Sequence, residues 1–195
     1  YNQFIGLIKD CDYMRSLLSL LTYDNTMKLP TNCVITKVYF DLNGSEQVHC
    51  DVVKSDEKYI TVCLSNHVGR LQVELLQLTR PLTIRQQSRT DDGSFTVSFS
   101  KENIIQFVTE VRDVNKIHRE PPYIVPGLLI LESLWNHYKE NKGVTGLEVK
   151  YRSPMIADDR ARIVVQHNGY AEGLVDDIVL FKFRVHHEYN SVCID

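Results

Sequence analysis

The chain has 195 residues, of which 43% are hydrophobic and 24% charged, and its formal net charge is −3. This composition supplies enough apolar side chains for a core, so it excludes a chain that is disordered throughout. The slightly acidic balance argues against a nucleic-acid-binding protein that relies on a broad basic surface. The length allows one large domain or two small ones.

Membrane spans and metal or disulfide scaffolds are not predicted. The longest apolar stretches fall far short of the roughly 20 residues of a membrane helix. No signal peptide is recognised, and because the chain begins at Tyr1 rather than Met, we expect some leading residues to be missing from the numbering. Five cysteines are spread without CxxC pairing, and the histidines share no ligand spacing. We therefore expect a reducing, cytoplasmic location, with no metal and no other cofactor.

The first part of the chain reads as one helix followed by strands. Apolar residues at helical spacing nearly encircle the segment from Phe4 to Leu21, which predicts a buried helix. Alternating and β-branched residues predict the next elements. These four strands are Cys33 to Asp41, Glu46 to Lys54, Tyr59 to Asn66 and Leu71 to Arg80. Residues 46–58 are rich in charge and predict a solvated hairpin. Residues 85–94 contain no large apolar side chain and are either a linker or a surface loop.

The second part repeats this order. A short strand from Phe95 to Phe99 leads to Ser100, a predicted N-cap that has Asn103, not Glu or Gln, at the third helical position. An amphipathic helix follows to about Arg112, and a second, strongly apolar helix begins at Gly127 after an irregular stretch. Three strands complete the chain, at Gly146 to Arg152, Arg160 to Asn168 and Val175 to His187.

Each half thus places a buried helix before an antiparallel set of strands. We expect an α+β fold of the double hotdog type, in which two long helices are wrapped by antiparallel sheet. The predicted halves are residues 1–88, which would be degenerate, and residues 89–195, which would carry the functional motif.

The irregular stretch between the two helices of the second half carries the chemistry. Asp113 and His118 lie five residues apart, and imidazole has a reference pKa near 6.5, suited to proton transfer at neutral pH. Pro126-Gly127 then opens the apolar helix. Backbone N–H groups at a helix N-terminus suit a developing oxyanion, which predicts that role for Gly127.

The stretch from Phe99 to His118 resembles the signature of MaoC-like (R)-specific enoyl-thioester hydratases. In that signature a helix ends in Gly-Asp-x-Asn-Pro-x-His, and Asp113, Asn115 and His118 fall on it, while Arg112 replaces Gly and Lys116 replaces Pro. The resemblance implies a hotdog fold, with Asp113 and His118 activating water for addition across an enoyl thioester.

The following stretch resembles the 3-hydroxyacyl-carrier-protein dehydratases. Pro126, Gly127 and Glu132 keep the spacing of their signature, although its Phe-Pro-Gly after the histidine is absent. This resemblance implies that Glu132 is an alternative proton-transfer partner of His118. The two resemblances together lead us to expect Asn115, Pro126 and Leu128 at the substrate.

Two weaker resemblances extend this pattern. The segment from Gly146 to Asp159 resembles the hotdog turn Phe-x-x-Pro-x-x-x-Gly-Asp, with Pro154 and Asp159 matching and Asp158 where Gly is usual. The strands of the first half resemble half of a polyketide-type dehydratase domain. The helix of that half lacks the signature Asp-x-x-x-Asn/Gln/His, so we expect this half to be non-catalytic.

These observations predict a hydratase or dehydratase that interconverts (R)-3-hydroxyacyl and trans-2-enoyl thioesters of CoA or acyl carrier protein, in fatty-acid or polyketide-type metabolism. A hotdog thioesterase that uses Glu132 is one alternative. A non-catalytic acyl-thioester-binding module is another, since Arg112 and Lys116 depart from the motif. A carrier protein would need a basic patch, for which Arg112, Lys116 and Arg119 are candidates. A homodimer is possible.

Overall fold

The computed structural model of the protein describes residues 10–23, 30, 32–85, 95–166 and 169–188. The helices are α1 (Asp10–Tyr23), α2 (Lys101–Glu110) and α3 (Gly127–Tyr138), with a 3-10 turn at Lys116–His118. The strands are β1 (Cys33–Asp41), β2 (His49–Ser55), β3 (Tyr59–Asn66), β4 (Gly69–Gln77), β5 (Thr96–Ser98), β6 (Val144–Tyr151), β7 (Arg160–Val165), β8 (Ala171–Val175) and β9 (Ile178–His187). Within these residues, no helix has the length and apolarity needed to cross a membrane.

The nine strands of the described residues form one antiparallel sheet. Their order is β2-β3-β4-β1-β6-β9-β8-β7-β5. From the outer side towards the middle of the sheet, four strands follow the order β2-β3-β4-β1 on one side. On the other side, inside β5, their counterparts follow the order β7-β8-β9-β6. The two groups meet where β1 pairs with β6, with Phe40 opposite Leu147.

The core lies between the inner face of this sheet and the helices. Every second residue of β3 is buried, as expected for a strand with one face against the core. Seven of the twelve residues of α3 are buried, and Trp135 meets Phe40 of β1 edge-to-face at 4.8 Å between ring centroids. Since Phe40 and Trp135 belong to different groups of elements, one core joins both parts of the chain.

The structure confirms most predicted elements and corrects some bounds. β1 and β3 have their predicted limits. β2 begins at His49, because Ser45 accepts the N–H of Gln47 in a local turn before it. The first helix runs to Tyr23, and its predicted part before Asp10 lies outside the described residues. The boundary predicted between residues 88 and 89 also lies outside them, and that division stays a prediction.

One local prediction was wrong, and one helix cap uses an unusual residue. The single strand predicted from Val175 to His187 is the end of β8 followed by β9, because the chain turns at Asp176, whose φ is 45°. The predicted N-cap of α2, Ser100, is confirmed. Asn103 itself closes a capping box, since its side chain accepts the Ser100 N–H while Ser100 Oγ accepts the Asn103 N–H.

Candidate functional site

The end of α2 sets the path of the motif loop. The Asp113 N–H donates to the Val108 carbonyl at 2.8 Å and the Arg112 N–H donates to that of Thr109 at 3.3 Å, the paired bonds of a Schellman motif. The residue between, Arg112, has φ of 58°. This left-handed position is where the hydratase signature has Gly, which adopts it without a Cβ penalty. Arg112 therefore keeps the shape of the motif at a cost in backbone strain.

Two successive Asx turns, in which a side-chain oxygen accepts the backbone N–H two residues on, connect Asp113 to the His118 turn. Asp113 Oδ1 accepts the Asn115 N–H at 2.8 Å, and Asn115 Oδ1 accepts the Ile117 N–H at 3.4 Å. The Asn115 amide also donates to the carbonyl of Cys33 at 3.2 Å, which ties the loop to β1. Although Asn115 lies on the cavity wall, both ends of its amide thus bind backbone.

His118 is buried at the centre of this loop. Its Nδ1 lies 2.7 Å from the carbonyl of Ile124. Because a carbonyl only accepts, Nδ1 carries a proton, and in the neutral ring Nε2 is left with its lone pair. Nε2 lies 3.7 Å from Asp113 Oδ2. The ring therefore presents a basic nitrogen to Asp113, one of the two arrangements that the sequence left open.

The electrostatics keep this imidazole neutral. Burial lowers the pKa of His118, opposed by the Asp113 carboxylate and the Ile124 hydrogen bond and assisted by the Arg119 guanidinium. A pKa below the reference value leaves Nε2 unprotonated at neutral pH, as a general base requires.

Arg119 holds the loop from behind. Its guanidinium donates to the carbonyl of Asp113 at 2.6 and 3.0 Å and to that of Val108 at 3.3 Å. The sequence placed Arg119 in a basic patch with Arg112 and Lys116, but the structure directs it to backbone carbonyls. Of the three, Arg112 lines the cavity.

The first turn of α3 supplies unpaired backbone donors. No side chain caps the helix at Pro126, and the first N–H groups of a helix, here those of Gly127 and Leu128, have no intrahelical acceptor. Tyr151 packs against this turn and donates its hydroxyl to the carbonyl of Gly127. A Cβ on Gly127 would lie 3.0 Å from the Tyr151 ring, so Gly allows this close approach. Burial raises the pKa of Tyr151, which keeps that hydroxyl protonated.

Glu132 lies away from His118. Its two carboxylate oxygens accept from Nε and Nη2 of Arg15 on α1, at 2.8 and 3.0 Å. Arg15 also pairs with Glu110 of α2, so one guanidinium joins three helices. Glu132 is not among the residues that line the cavity beside His118. Of the two partners predicted for His118, the structure brings only Asp113 to it.

The segment that resembles the hotdog turn contains a buried aspartate and a second left-handed residue. Asp159 is fully buried, and its Oδ2 accepts the Ile156 N–H at 2.8 Å and pairs with Arg85. Asp158, where Gly is usual, has φ of 63°. Both positions at which this chain replaces a motif Gly are thus left-handed, which explains why Gly is usual there. Pro154 lines the cavity.

One cavity of about 720 Å³ joins these parts. The predicted site residues Asp113, Asn115, His118, Pro126, Gly127 and Leu128 all line it. The opposite wall comes from α1, β1 and β4 and is mostly apolar. That wall includes Leu21, Val34, Ile35, Leu75 and Leu76. Arg112 and Arg152 are exposed and line the cavity as well, so its charged lining is cationic apart from Asp113. The arrangement suits an elongated ligand with an apolar end and an anionic end.

Two contributors, Arg15 and Tyr151, were missed from sequence, and Arg119 was predicted in a different role. A glutamate on an otherwise apolar helix signals a buried cation partner, so Arg15 on the apolar first helix was the available signal. Nothing in the sequence marks Tyr151, or the loop-binding role of Arg119, because their contacts depend on the path of the loop. Among the described side chains, no three His, Cys, Asp or Glu residues come together as a metal site.

Comparison by sequence finds no matching family model and no matching curated protein. Comparison by structure finds similar proteins. HtdX of Mycobacterium tuberculosis matches with a TM-score of 0.63 and 12% identity, over 91% of this chain and 86% of that one. A MaoC-like dehydratase of Phytophthora capsici matches with a TM-score of 0.54 and 10% identity, over 87% and 77%.

A third match is peroxisomal multifunctional enzyme type 2 of Drosophila melanogaster, with a TM-score of 0.58 and 12% identity. It covers 96% of this chain and 42% of the larger enzyme. At such low identity these matches establish the fold, independently of the motif spacing. The chain therefore has the α+β hotdog fold that the MaoC-like dehydratases share, as the resemblance of its motif loop predicts.

Proposed function

We propose that the protein is a hydratase or dehydratase that interconverts trans-2-enoyl and (R)-3-hydroxyacyl thioesters. The observation that carries this proposal is the pairing of His118 Nε2 with Asp113 on the wall of a cavity that also contains the first turn of α3. We also propose that the chain is a double hotdog, because its two groups of four strands share one spatial order.

In the hydration direction, a water held between Asp113 and His118 adds its oxygen to Cβ of the enoyl group. His118 Nε2 takes a proton from that water, and Cα receives a proton from the Asp113–His118 pair. Negative charge that develops on the thioester oxygen is stabilised by the N–H groups of Gly127 and Leu128. Dehydration is the reverse sequence.

The cavity supports a thioester substrate. Its apolar wall from α1, β1 and β4 suits an acyl chain. Pro126 and Leu128 also line the cavity, and we propose that they lie beside the reacting carbons. Arg112 and Arg152 suit the phosphate groups that CoA and the prosthetic arm of acyl carrier protein have in common. The described cysteines Cys33, Cys50 and Cys63 form no disulfide bond. We propose a cytoplasmic location. We place the reaction in fatty-acid or polyketide-type metabolism.

No observation favours the thioesterase alternative. It depends on Glu132, whose two oxygens are engaged by Arg15. A binding module without catalysis would keep the cavity but would not need an unprotonated Nε2 facing Asp113.

The test is the loss of enoyl-thioester absorbance with crotonyl-CoA and with a longer trans-2-enoyl-CoA. We expect His118→Gln and Asp113→Asn each to lower the rate by about a hundredfold or more, because each removes part of the proton-transfer pair. His49→Gln, an exposed histidine on β2, is the matched control and should retain the wild-type rate. Release of free thiol in place of hydration would identify a thioesterase. Full activity of His118→Gln, or binding without turnover of either substrate, would contradict the proposal.

A further inference from the structure

β2 is the last strand at one side of the sheet within the described residues. Six of its seven residues are exposed, Cys50 being half-buried. A strand in this position presents backbone N–H and C=O groups along its outer side, which form a template for another strand.

Apolar side chains are concentrated at the same edge. Nine large hydrophobic residues are exposed among the described residues, and three of them lie on β2 or directly before it. These three are Val48, Val52 and Val53, exposed by 62%, 46% and 66%. Three exposed valines within six residues are more than scattered surface residues require, and they favour a partner chain at this edge.

A β-bulge determines which charged side chains share a face. Asp51 lies opposite Cys63 and Lys54 lies opposite Thr61 on β3, with Val53 as the extra residue. Positions 61 and 63 of β3 point to the same face, because side chains alternate along a strand. Asp51 and Lys54 therefore also share a face, which they would not do without the bulge. Val52 points to the other face, opposite Val62.

We propose that this edge pairs antiparallel with β2 of a second copy of the chain, around a two-fold axis between Val52 and Val53. Asp51 then lies opposite Lys54 of the partner subunit, and Lys54 opposite Asp51 of the partner subunit. The same axis sets His49 opposite Asp56 of the partner subunit. The valines of both copies meet at the centre, and the two sheets become continuous.

The bulge makes this register compatible with two-fold symmetry. An axis perpendicular to the sheet keeps every residue on its own face in both copies, so paired residues must share a face. Asp51 and Lys54 meet this condition because of the extra Val53. Charged residues on edge strands often prevent pairing between copies, but here the opposite signs occupy symmetric positions and attract.

The size and chemistry of the contact set its strength. A single strand pair buries less than a standard protein interface, so we expect a dimer whose population depends on protein concentration. Its charge pairs lie at the surface, so added salt should weaken it. Lys54 contacts Asp56 of its own chain at 3.7 Å, an exposed pair that contributes little and does not compete strongly.

The experiment is sedimentation velocity of the full chain over a range of concentrations. We expect the wild type to dimerise, and we expect Asp51→Lys and Lys54→Asp each to shift the dissociation constant upwards at least tenfold, because each places like charges opposite one another. An equimolar mixture of the two single variants should dimerise again, since each copy then supplies the charges that the other lacks. The double variant Asp51→Lys/Lys54→Asp should also dimerise.

Glu57→Lys is the matched control. It changes the net charge as Asp51→Lys does, but it lies outside β2 in the turn before β3, so the dimer should persist. Circular dichroism of each variant verifies folding, and the mixture and the double variant provide a second test if one single variant folds poorly. A monomeric wild type, a dimer that neither single variant weakens, equal effects of Asp51→Lys and Glu57→Lys, or failure of the mixture to recover the dimer would overturn the proposal. Enoyl-thioester turnover is measured separately, so this outcome and that of the proposed reaction do not depend on each other.

Discussion

The residues of the motif loop serve the backbone as much as the chemistry. Asn115 links Asp113 to β1 through the Cys33 carbonyl, and Arg119 binds the Asp113 carbonyl itself. The sequence predicts which residues gather at this loop, because the motif spacing is short. It could not rank Asp113 against Glu132, since that depends on Arg15, 117 residues away along the chain from Glu132.

His118 should give the activity a defined pH dependence. Burial lowers its pKa, so the midpoint of Nε2 protonation lies below the reference value of about 6.5. We expect kcat/KM to be level around neutral pH and to fall as the pH drops below that value. The folded state also loses stability over the same range, because the unfolded chain then binds a proton that the folded imidazole resists. Histidine titrates roughly between pH 5 and 8. Rate measurements and urea unfolding of the wild type and His118→Gln over this range check the effects on activity and on stability. If the stability of His118→Gln depends on pH as that of the wild type does, another group is responsible for the effect.

The left-handed Arg112 predicts an unusual stabilising substitution. A non-glycine residue at φ of 58° carries a strain of roughly 1–2 kcal/mol. Arg112→Gly relieves this strain, but part of the gain is lost because Gly is freer in the unfolded chain. The variant should therefore raise the free energy of unfolding by about 1 kcal/mol. Arg112→Ala removes the guanidinium but keeps the Cβ, and it should not stabilise. If both variants change the urea midpoint equally, the side chain and not the backbone is responsible.

At the scale of elements, the helices are joined through a buried charge. Arg15 of α1 contacts Glu132 of α3 and Glu110 of α2, and it also lies over the Phe107 ring at 5.5 Å. Element types and most bounds follow from periodicity in the sequence. The division of β8 from β9 does not, because Asp176-Asp177 lacks the Asn-Gly signal of a tight hairpin.

Arg15→Met should be strongly destabilising because it leaves the Glu132 carboxylate buried without its partner. The Glu132 side chain is 5% exposed and that of Arg15 25%, so we expect a loss of about 3 kcal/mol in the free energy of unfolding. The double variant Arg15→Met/Glu132→Leu should recover most of it. Urea unfolding of both variants measures this coupling.

Glu110→Gln is the control for that comparison. Glu110 is the other partner of Arg15, and its own side chain is 41% exposed. Its loss should therefore cost less than 1 kcal/mol, as is usual for surface pairs. Losses that simply add in the double variant would show that Arg15 and Glu132 act independently.

For the whole molecule, the seam between β1 and β6 makes the two groups of strands one structure. The sequence predicts two similar halves, since the order of helix and strands repeats. It could not predict which strands meet, because strand neighbours at a seam are set by packing across long sequence separations. Here the seam brings Phe40 onto Trp135 and Val38 opposite Val149.

A fragment that begins at Phe95 should therefore not fold alone as a stable monomer. It would expose the whole edge of β6 and the face of Trp135 that Phe40 covers. We expect a collapsed or aggregated product without the near-ultraviolet circular dichroism of packed aromatic rings. Sharp dispersed NMR signals and cooperative melting of the fragment would show that the second half is an independent domain.

The shared wall of the cavity has a consequence for finding its ligand. Leu75 and Ile35 line one side and His118 and Gly127 the other, so an occupant contacts both groups of elements at once. Such an occupant binds the native state and not the unfolded chain, and at a hundred times its dissociation constant it adds about 2.7 kcal/mol to stability. Because the described elements of both groups share one core, that gain appears as a rise in a single melting temperature. Candidate acyl compounds can therefore be ranked by heating alone, whether or not they are turned over.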